Sequence, residues 1–135
     1  MIVVDTDVLS ELMRTRPSSV LMERLERVPV VEQATTAITL GEIAYGARKA
    51  GRPALYRRAV ELLRGVRILD FDRAAAERYG ALRAQLELAG LRLADPDLRI
   101  AAIVSVHHAT LVTGNVRHFA RVPGLAAEDW RRRVR

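Results

Sequence analysis

Three consecutive apolar residues, Ile2-Val3-Val4, run directly into Asp5-Thr6-Asp7. A strand that is apolar at every position is buried on both faces, as in a parallel sheet covered by helices on each side. The rest of the chain repeats the theme. Spacing predicts strands at 1–5, 35–38, 66–71 and 110–113, with a short edge strand within 122–126. Helices are predicted at 7–14, from Pro17 to about 27, and at 39–50, 52–64, 72–89 and 95–109. Gly51, Gly65 and Gly90 close three of them, and Asp72 opens one. This alternation predicts an α/β fold: one domain over residues 1–135, three layers α/β/α, with a short parallel sheet of four to five strands. In such sheets ligands collect at the carboxyl ends of the strands.

The chain's 135 residues are enough to bury a core. The absence of cysteine excludes disulfides and thiolate metal sites. The opening apolar run lacks a basic flank and is too short for a signal peptide, and no stretch reaches the ~18 apolar residues of a membrane helix. No membrane association and a cytoplasmic location are therefore expected. Net charge is +6, from 22 basic and 16 acidic residues, and Lys49 is the only lysine. The preference for Arg fits a GC-rich coding sequence. The positive balance favours a polyanionic partner such as nucleic acid. With six aromatic residues, base stacking would not dominate that contact.

Four places combine polar chemistry with a strand end or helix start. Asp5 closes the first strand, where it either caps the next helix or holds a cation. Glu42 lies in Thr39-Leu40-Gly41-Glu42, which reads as a capping box with Thr39 as N-cap, yet the same geometry lets Glu42 face Asp5. In Asp95-Pro96-Asp97, Asp95 reads as the N-cap, which leaves Asp97 as the metal candidate. Thr113-Gly114-Asn115 is either a turn or a source of a hydroxyl and an amide oxygen. His118 adds little by itself, and His107 and His108 read as solvated or C-capping residues. Carboxylates converging at one sheet edge repel each other unless a cation is bound. Oxygen ligands without Cys favour Mg²⁺ or Mn²⁺, a set suited to phosphodiester hydrolysis.

Four segments resemble, in order, the motifs of the PIN-domain nucleases, and most closely the VapC-type toxins of toxin–antitoxin pairs: Ile2–Leu12, Thr39–Gly46, Asp97–Ala102 and Leu111–Phe119. The resemblance implies a PIN-like domain in which Asp5, Glu42 and Asp97 bind Mg²⁺ (or Mn²⁺) and Thr113 and Asn115 support them. It implies endoribonuclease activity on single-stranded or looped RNA, leaving a 5′-phosphate and a 3′-hydroxyl. It implies a homodimer and a cognate antitoxin that obstructs the site and carries the pair to operator DNA. The chain departs from the family pattern at Asp7, where Asn is usual. It also lacks a fourth acid, since Asn115 and His118 stand where members often carry one. Asp7 then becomes a candidate replacement charge. The C-terminal Trp130-Arg131-Arg132-Arg133-Val134-Arg135 is either a contact for RNA or a frayed tail.

Two other readings stay open. A catalytically weak domain of this kind would only bind RNA or protein. A haloacid-dehalogenase-type phosphatase would use Asp5 as nucleophile and Asp7 as acid, but it needs a downstream lysine. Lys49, within a helix soon after Glu42, is badly placed for that role.

Overall fold

A computed structural model describes residues 1–132. Five strands form one sheet: β1 (Ile2–Val4), β2 (Gln33–Thr36), β3 (Arg67–Leu69), β4 (Thr110–Val112) and β5 (Ala126–Glu128). Their order is β3-β2-β1-β4-β5, and every pairing is parallel. The helices are α1 (Thr6–Leu12), α2 (Ser19–Glu26), α3 (Ala37–Lys49), α4 (Ala54–Leu62), α5 (Arg73–Leu88), α6 (Asp95–Val106) and the short α7 (Val116–Phe119). The chain builds outward from β1 to β3 and then returns to β1's other side for β4. The sheet's direction of growth therefore switches between β1 and β4, where a crevice opens at the strands' carboxyl ends.

Alternation along the strands sends successive side chains to opposite faces. Val3, Ala34, Leu69 and Leu111 pack with α5 and α6 through Leu82, Leu86, Ile100 and Ile103. Val4 and Val112 turn the other way and pack with Leu9, Leu21, Ile43 and Ala59 of α1 to α4. Trp130 closes that second core, buried beneath the guanidinium of Arg24, which lies 4.7 Å from the ring centre. The predicted three layers are present. Among the described residues, no helix is long and apolar enough to cross a membrane.

Several predicted boundaries shift. The second strand starts at Gln33 and ends at Thr36, because its ladder to β1 begins at the Ile2–Gln33 pair and its ladder to β3 ends at Thr36–Leu69. The third strand shortens to Arg67–Leu69, and the fifth falls at Ala126–Glu128 rather than 122–126. Pro17 does not start α2; Ser18 caps it instead, accepting from the Leu21 N–H at 3.3 Å. The glycine stops hold at α3 and α5. Gly51 and Gly90 take left-handed backbone, with φ of 65° and 72°. The next N–H then reaches back: Arg52 to the Ala47 carbonyl at 2.9 Å and Leu91 to that of Leu86 at 2.8 Å. This double closure satisfies the last helical carbonyls, and a left-handed C′ residue is the condition for it.

Candidate active site

Asp5 extends the β1–β4 ladder by one residue, its N–H donating to the Val112 carbonyl at 2.9 Å. The backbone then turns into α1, with Asp5 as its N-cap. One carboxylate oxygen accepts from the Thr6 N–H at 2.8 Å, and the other from the Thr113 hydroxyl at 2.7 Å. Capping and site chemistry are therefore not alternatives, since a different oxygen serves each. Asp5 is only 3% exposed. Burial pushes its carboxyl up to about 7, and the charges of Asp7 and Asp97 add to this against the two hydrogen bonds.

Glu42 reaches the same edge by a route that corrects the capping-box expectation. The N-cap of α3 is Thr36, the last residue of β2, whose hydroxyl accepts from the Thr39 N–H at 3.1 Å. Glu42 thus lies in the second turn, free of capping duty. Its carboxylate accepts from the Thr6 hydroxyl at 2.7 Å. The Thr39 hydroxyl lies 3.1 Å from that of Thr6, and the Thr36 hydroxyl 3.3 Å from that of Thr39. A carboxylate only accepts, so the single Thr6 proton goes to Glu42, and the protons of Thr39 and Thr36 follow in file. Buried Thr36 and Thr39 so anchor a partly exposed acid. The Thr-Thr-Ala-Ile-Thr run at 35–39, polar where a core strand meets its helix, was the signal for this chain of hydroxyls, and the motif reading passed over it.

Asp95 is not the cap of α6. That position falls to Ala94, which has no side-chain capping bond. Asp95 instead accepts from the Tyr79 hydroxyl and from Arg99, whose Nε lies 2.7 Å away. These partners turn it away from the sheet edge and hold its carboxyl below the usual range, the Tyr79 bond contributing most. Asp97, two residues on, is half-buried, and its carboxyl is raised. Burial is the main cause, repulsion from Glu42 and Asp7 adds to it, and His118 works against it. The same interactions place Asp97, Glu42, Asp7 and His118 in one electrostatic neighbourhood.

Thr113 is fully buried. Its hydroxyl also accepts from the Asn115 N–H at 3.0 Å. The Asn115 side chain is exposed and makes no hydrogen bond among the described residues. Asp7 contributes something the sequence reading did not contain: its Oδ2 accepts from the Gly114 N–H at 2.8 Å. Its Oδ1 is buried without a partner. Arg131, held by Asp129 at 3.1 Å, brings Nη2 to 3.5 Å from the Gly114 carbonyl. The C-terminal segment thus packs over this turn as far as Arg131, and residues 133–135 of the proposed RNA-contacting tail lie outside the described residues.

Asp5, Asp7, Glu42 and Asp97 converge at one sheet edge, with Thr113 beneath them. Hard oxygen donors, burial and mutual repulsion that raise Asp5 and Asp97, and an orphaned buried oxygen on Asp7 fit a divalent cation of the Mg²⁺ or Mn²⁺ type. Among the described residues, no three Asp, Glu or His side chains are gathered closely enough to form a ready cage. One oxygen of Glu42 is held by the Thr6 hydroxyl, and the two of Asp5 by the Thr6 N–H and the Thr113 hydroxyl, so a bound ion would need the more exposed acids to close inward.

The family model of the PIN domain matches residues 2–125. Ribonuclease VapC2 of Rickettsia felis is 36% identical over 98 residues, covering 72% of this chain and 73% of the relative. The tRNA(fMet)-specific endonuclease VapC of Shigella flexneri is 33% identical over 128 residues, covering 94% of this chain and 96% of the relative. Among solved structures, VapBC2 from Rickettsia felis bound to a DNA fragment from its promoter superposes with a TM-score of 0.84 at 31% identity, covering 96% of this chain and 99% of that one.

Proposed function

The chain belongs to the PIN-domain family, and we propose that it is a metal-dependent endoribonuclease of the toxin type, neutralised by a cognate antitoxin. The observation that carries the reading is the meeting of Asp5, Glu42 and Asp97 at the β1–β4 switch, on segments far apart in sequence. The ribonuclease names of the relatives support the substrate class.

In this reading Asp5, Glu42 and Asp97 hold Mg²⁺ or Mn²⁺. Bound there, the ion would supply an acidified water and offset charge gathering on the phosphoryl and leaving oxygens. Thr113 fixes the buried Asp5 carboxylate, and Thr6 fixes Glu42. Glu42 or Asp97, the more exposed acids, would orient the attacking water and take up its one proton. The new P–O bond forms in line with the breaking P–O3′ bond, and the departing 3′-oxygen takes a proton from solvent, leaving a 5′-phosphate and a 3′-hydroxyl.

The partner reading rests on neighbours named VapBC, among them VapBC2 bound to a DNA fragment from its promoter, and on one named a toxin-antitoxin complex. By extension this chain pairs with an antitoxin and meets operator DNA only through it, and it assembles as a homodimer, as the family resemblance implies. A gel assay of RNA cleavage in Mg²⁺, Mn²⁺ and EDTA tests the core of the proposal. Wild type should cut only with metal, and Asp5→Asn and Asp97→Asn should be inactive. Undiminished cutting by both variants would sink it.

A second reading, a weak nuclease that mainly binds RNA or protein, draws on the lack of a ready cage and on Asn115 and His118 standing in place of an acid. Metal-independent RNA binding without any cleavage would favour it. The phosphatase reading loses ground, because Lys49 sits in the last turn of α3 over the Tyr45 ring, 5.9 Å from its centre. That is the end of α3 remote from the sheet edge, about 18 Å along the axis from the helix start.

A further inference from the structure

A cavity of about 790 Å³ begins at Thr6 and Glu42 and runs away from the sheet edge between α1, α3 and α4. Its rim carries Arg14, Arg16, Arg52 and Arg58. Arg14 and Arg16 follow α1, Arg52 precedes α4 and Arg58 lies on it, so the positive charges stand on both walls. All four are exposed. Among the described residues, Arg14 pairs with Glu11 at 3.1 Å, while Arg16, Arg52 and Arg58 enter no ion pair. Between these walls lie the aliphatic side chains of Met13, Ile43 and Leu55.

We propose that this cleft is the path of the RNA strand, with phosphates on the arginine walls and an unstacked base against the aliphatic floor. The proposal rests on the endoribonuclease reading and adds to it where, and in what form, the substrate lies. Two features select a single-stranded polyanion. The walls offer guanidinium groups not committed to carboxylates, which suit phosphate oxygens by geometry as well as charge. The floor is apolar and recessed, and a base can reach it only when it is not paired inside a duplex. The cleft opens at Glu42, so a strand in it delivers its backbone to the acids.

Fluorescence anisotropy of a labelled, mixed-sequence single-stranded oligoribonucleotide tests this in EDTA, with the probe's integrity checked on a gel. The double variant Arg52→Ala/Arg58→Ala should weaken binding about tenfold. It should also flatten the dependence of log affinity on log salt by about 1.4, for two lost phosphate contacts on a single strand. Arg16→Ala should shift both in the same direction by less. Arg73→Ala/Arg78→Ala on α5 removes the same charge away from the cleft and should leave both near wild type. A duplex of equal length should compete poorly. Equal losses in the α5 control, or equal competition by duplex, would overturn the proposal, as would full RNA binding by the cleft variants, which would leave the cleft to a protein partner. Circular dichroism melts verify that the variants fold. These outcomes are independent of Asp5→Asn, whose cleavage assay tests the nuclease reading itself.

Discussion

The Thr113 hydroxyl donates to Asp5 Oδ2 at 2.7 Å, joining the ends of β4 and β1 across the point where the sheet changes direction. Both residues are buried, so nothing from solvent replaces that bond if it is lost. Thr113→Val keeps the shape and removes the donor. An orphaned buried acceptor costs about 1–3 kcal/mol, more when charged. The variant should unfold at lower urea concentration at pH 7, and metal-dependent RNA cleavage should fall by about 10–100-fold. Thr113→Ser should keep most of both. Cleavage unchanged in the valine variant would remove Thr113 from the site.

The Asp5 carboxyl gives a pH signature with a definite sign. Burial raises it from 3.8 to about 7, so the folded chain binds this proton more tightly than the unfolded chain. Metal-free stability should therefore fall as pH climbs from about 4 to about 7, and this group adds no further slope above that. The raised Asp97 carboxyl acts in the same direction. The loss from Asp5 is on the order of a few kcal/mol. Urea unfolding in EDTA across this range should show the fall in wild type and a shallower one in Asp5→Asn. At pH 7.5, Mn²⁺ at 100 times its dissociation constant should restore about 2.7 kcal/mol to wild type and little to the variant. Equal slopes in EDTA would mean that Asp5 is not the titrating group.

The fold was largely legible because periodicity reports burial, and burial is what builds a parallel sheet. Ile2-Val3-Val4 could only be a two-sided core strand, and Gly51 and Gly90 stand where left-handed backbone ends α3 and α5. Boundaries were less legible where two local solutions compete. Thr36 and Thr39 both suit an N-cap, and the β2–β3 ladder, which carries the strand to the Thr36–Leu69 pair, decided for Thr36. Asp95 looked like a cap until Tyr79 and Arg99, remote or helical neighbours invisible to a local pattern, claimed its carboxylate. The site acids were found by their place after strands. Their anchors were not, since Thr6–Glu42 and Asp7–Gly114 span 36 and 107 positions.

The Thr6–Glu42 bond yields a separate expectation. Thr6→Val removes the donor that holds Glu42 and interrupts the file of hydroxyls from Thr36. Glu42 is partly exposed, so water solvates it and stability should change by less than about 1 kcal/mol. The effect should fall on catalysis, with kcat reduced about tenfold and KM for RNA little moved, because the arginines of the cleft walls, not the Thr6 hydroxyl, are the groups proposed to hold the phosphates. Glu42→Gln should lose more, at least about a hundredfold, since it removes a charge rather than its orientation. A Thr6→Val enzyme that changes KM alone would place Thr6 in RNA binding rather than in orienting the acid.

Asp7 and Gly114 decide what the second acid of the opening motif does. Its Oδ2 is committed to the Gly114 N–H at 2.8 Å, and a Cβ at Gly114 would stand 2.5 Å from that oxygen and 2.7 Å from Arg131 Nη2. The Arg131 tip can swing aside, whereas Asp7 is short and seated in the first turn of α1. Gly114→Ala should therefore break the Asp7 bond, shift the turn that carries Thr113, and cost about 1–3 kcal/mol with a loss of cleavage of about tenfold or more. Asp7→Asn keeps an amide oxygen for the Gly114 N–H and removes one of the charges that raise Asp5. If Asp7 serves to hold the turn, the Asn variant should cleave RNA within about threefold of wild type, while Asp7→Ala should fall about tenfold. Mn²⁺ titration gives the discriminating number. An Asn variant that binds the ion like wild type assigns Asp7 to the turn, and a loss beyond tenfold assigns it the charge that Asn115 and His118 do not supply.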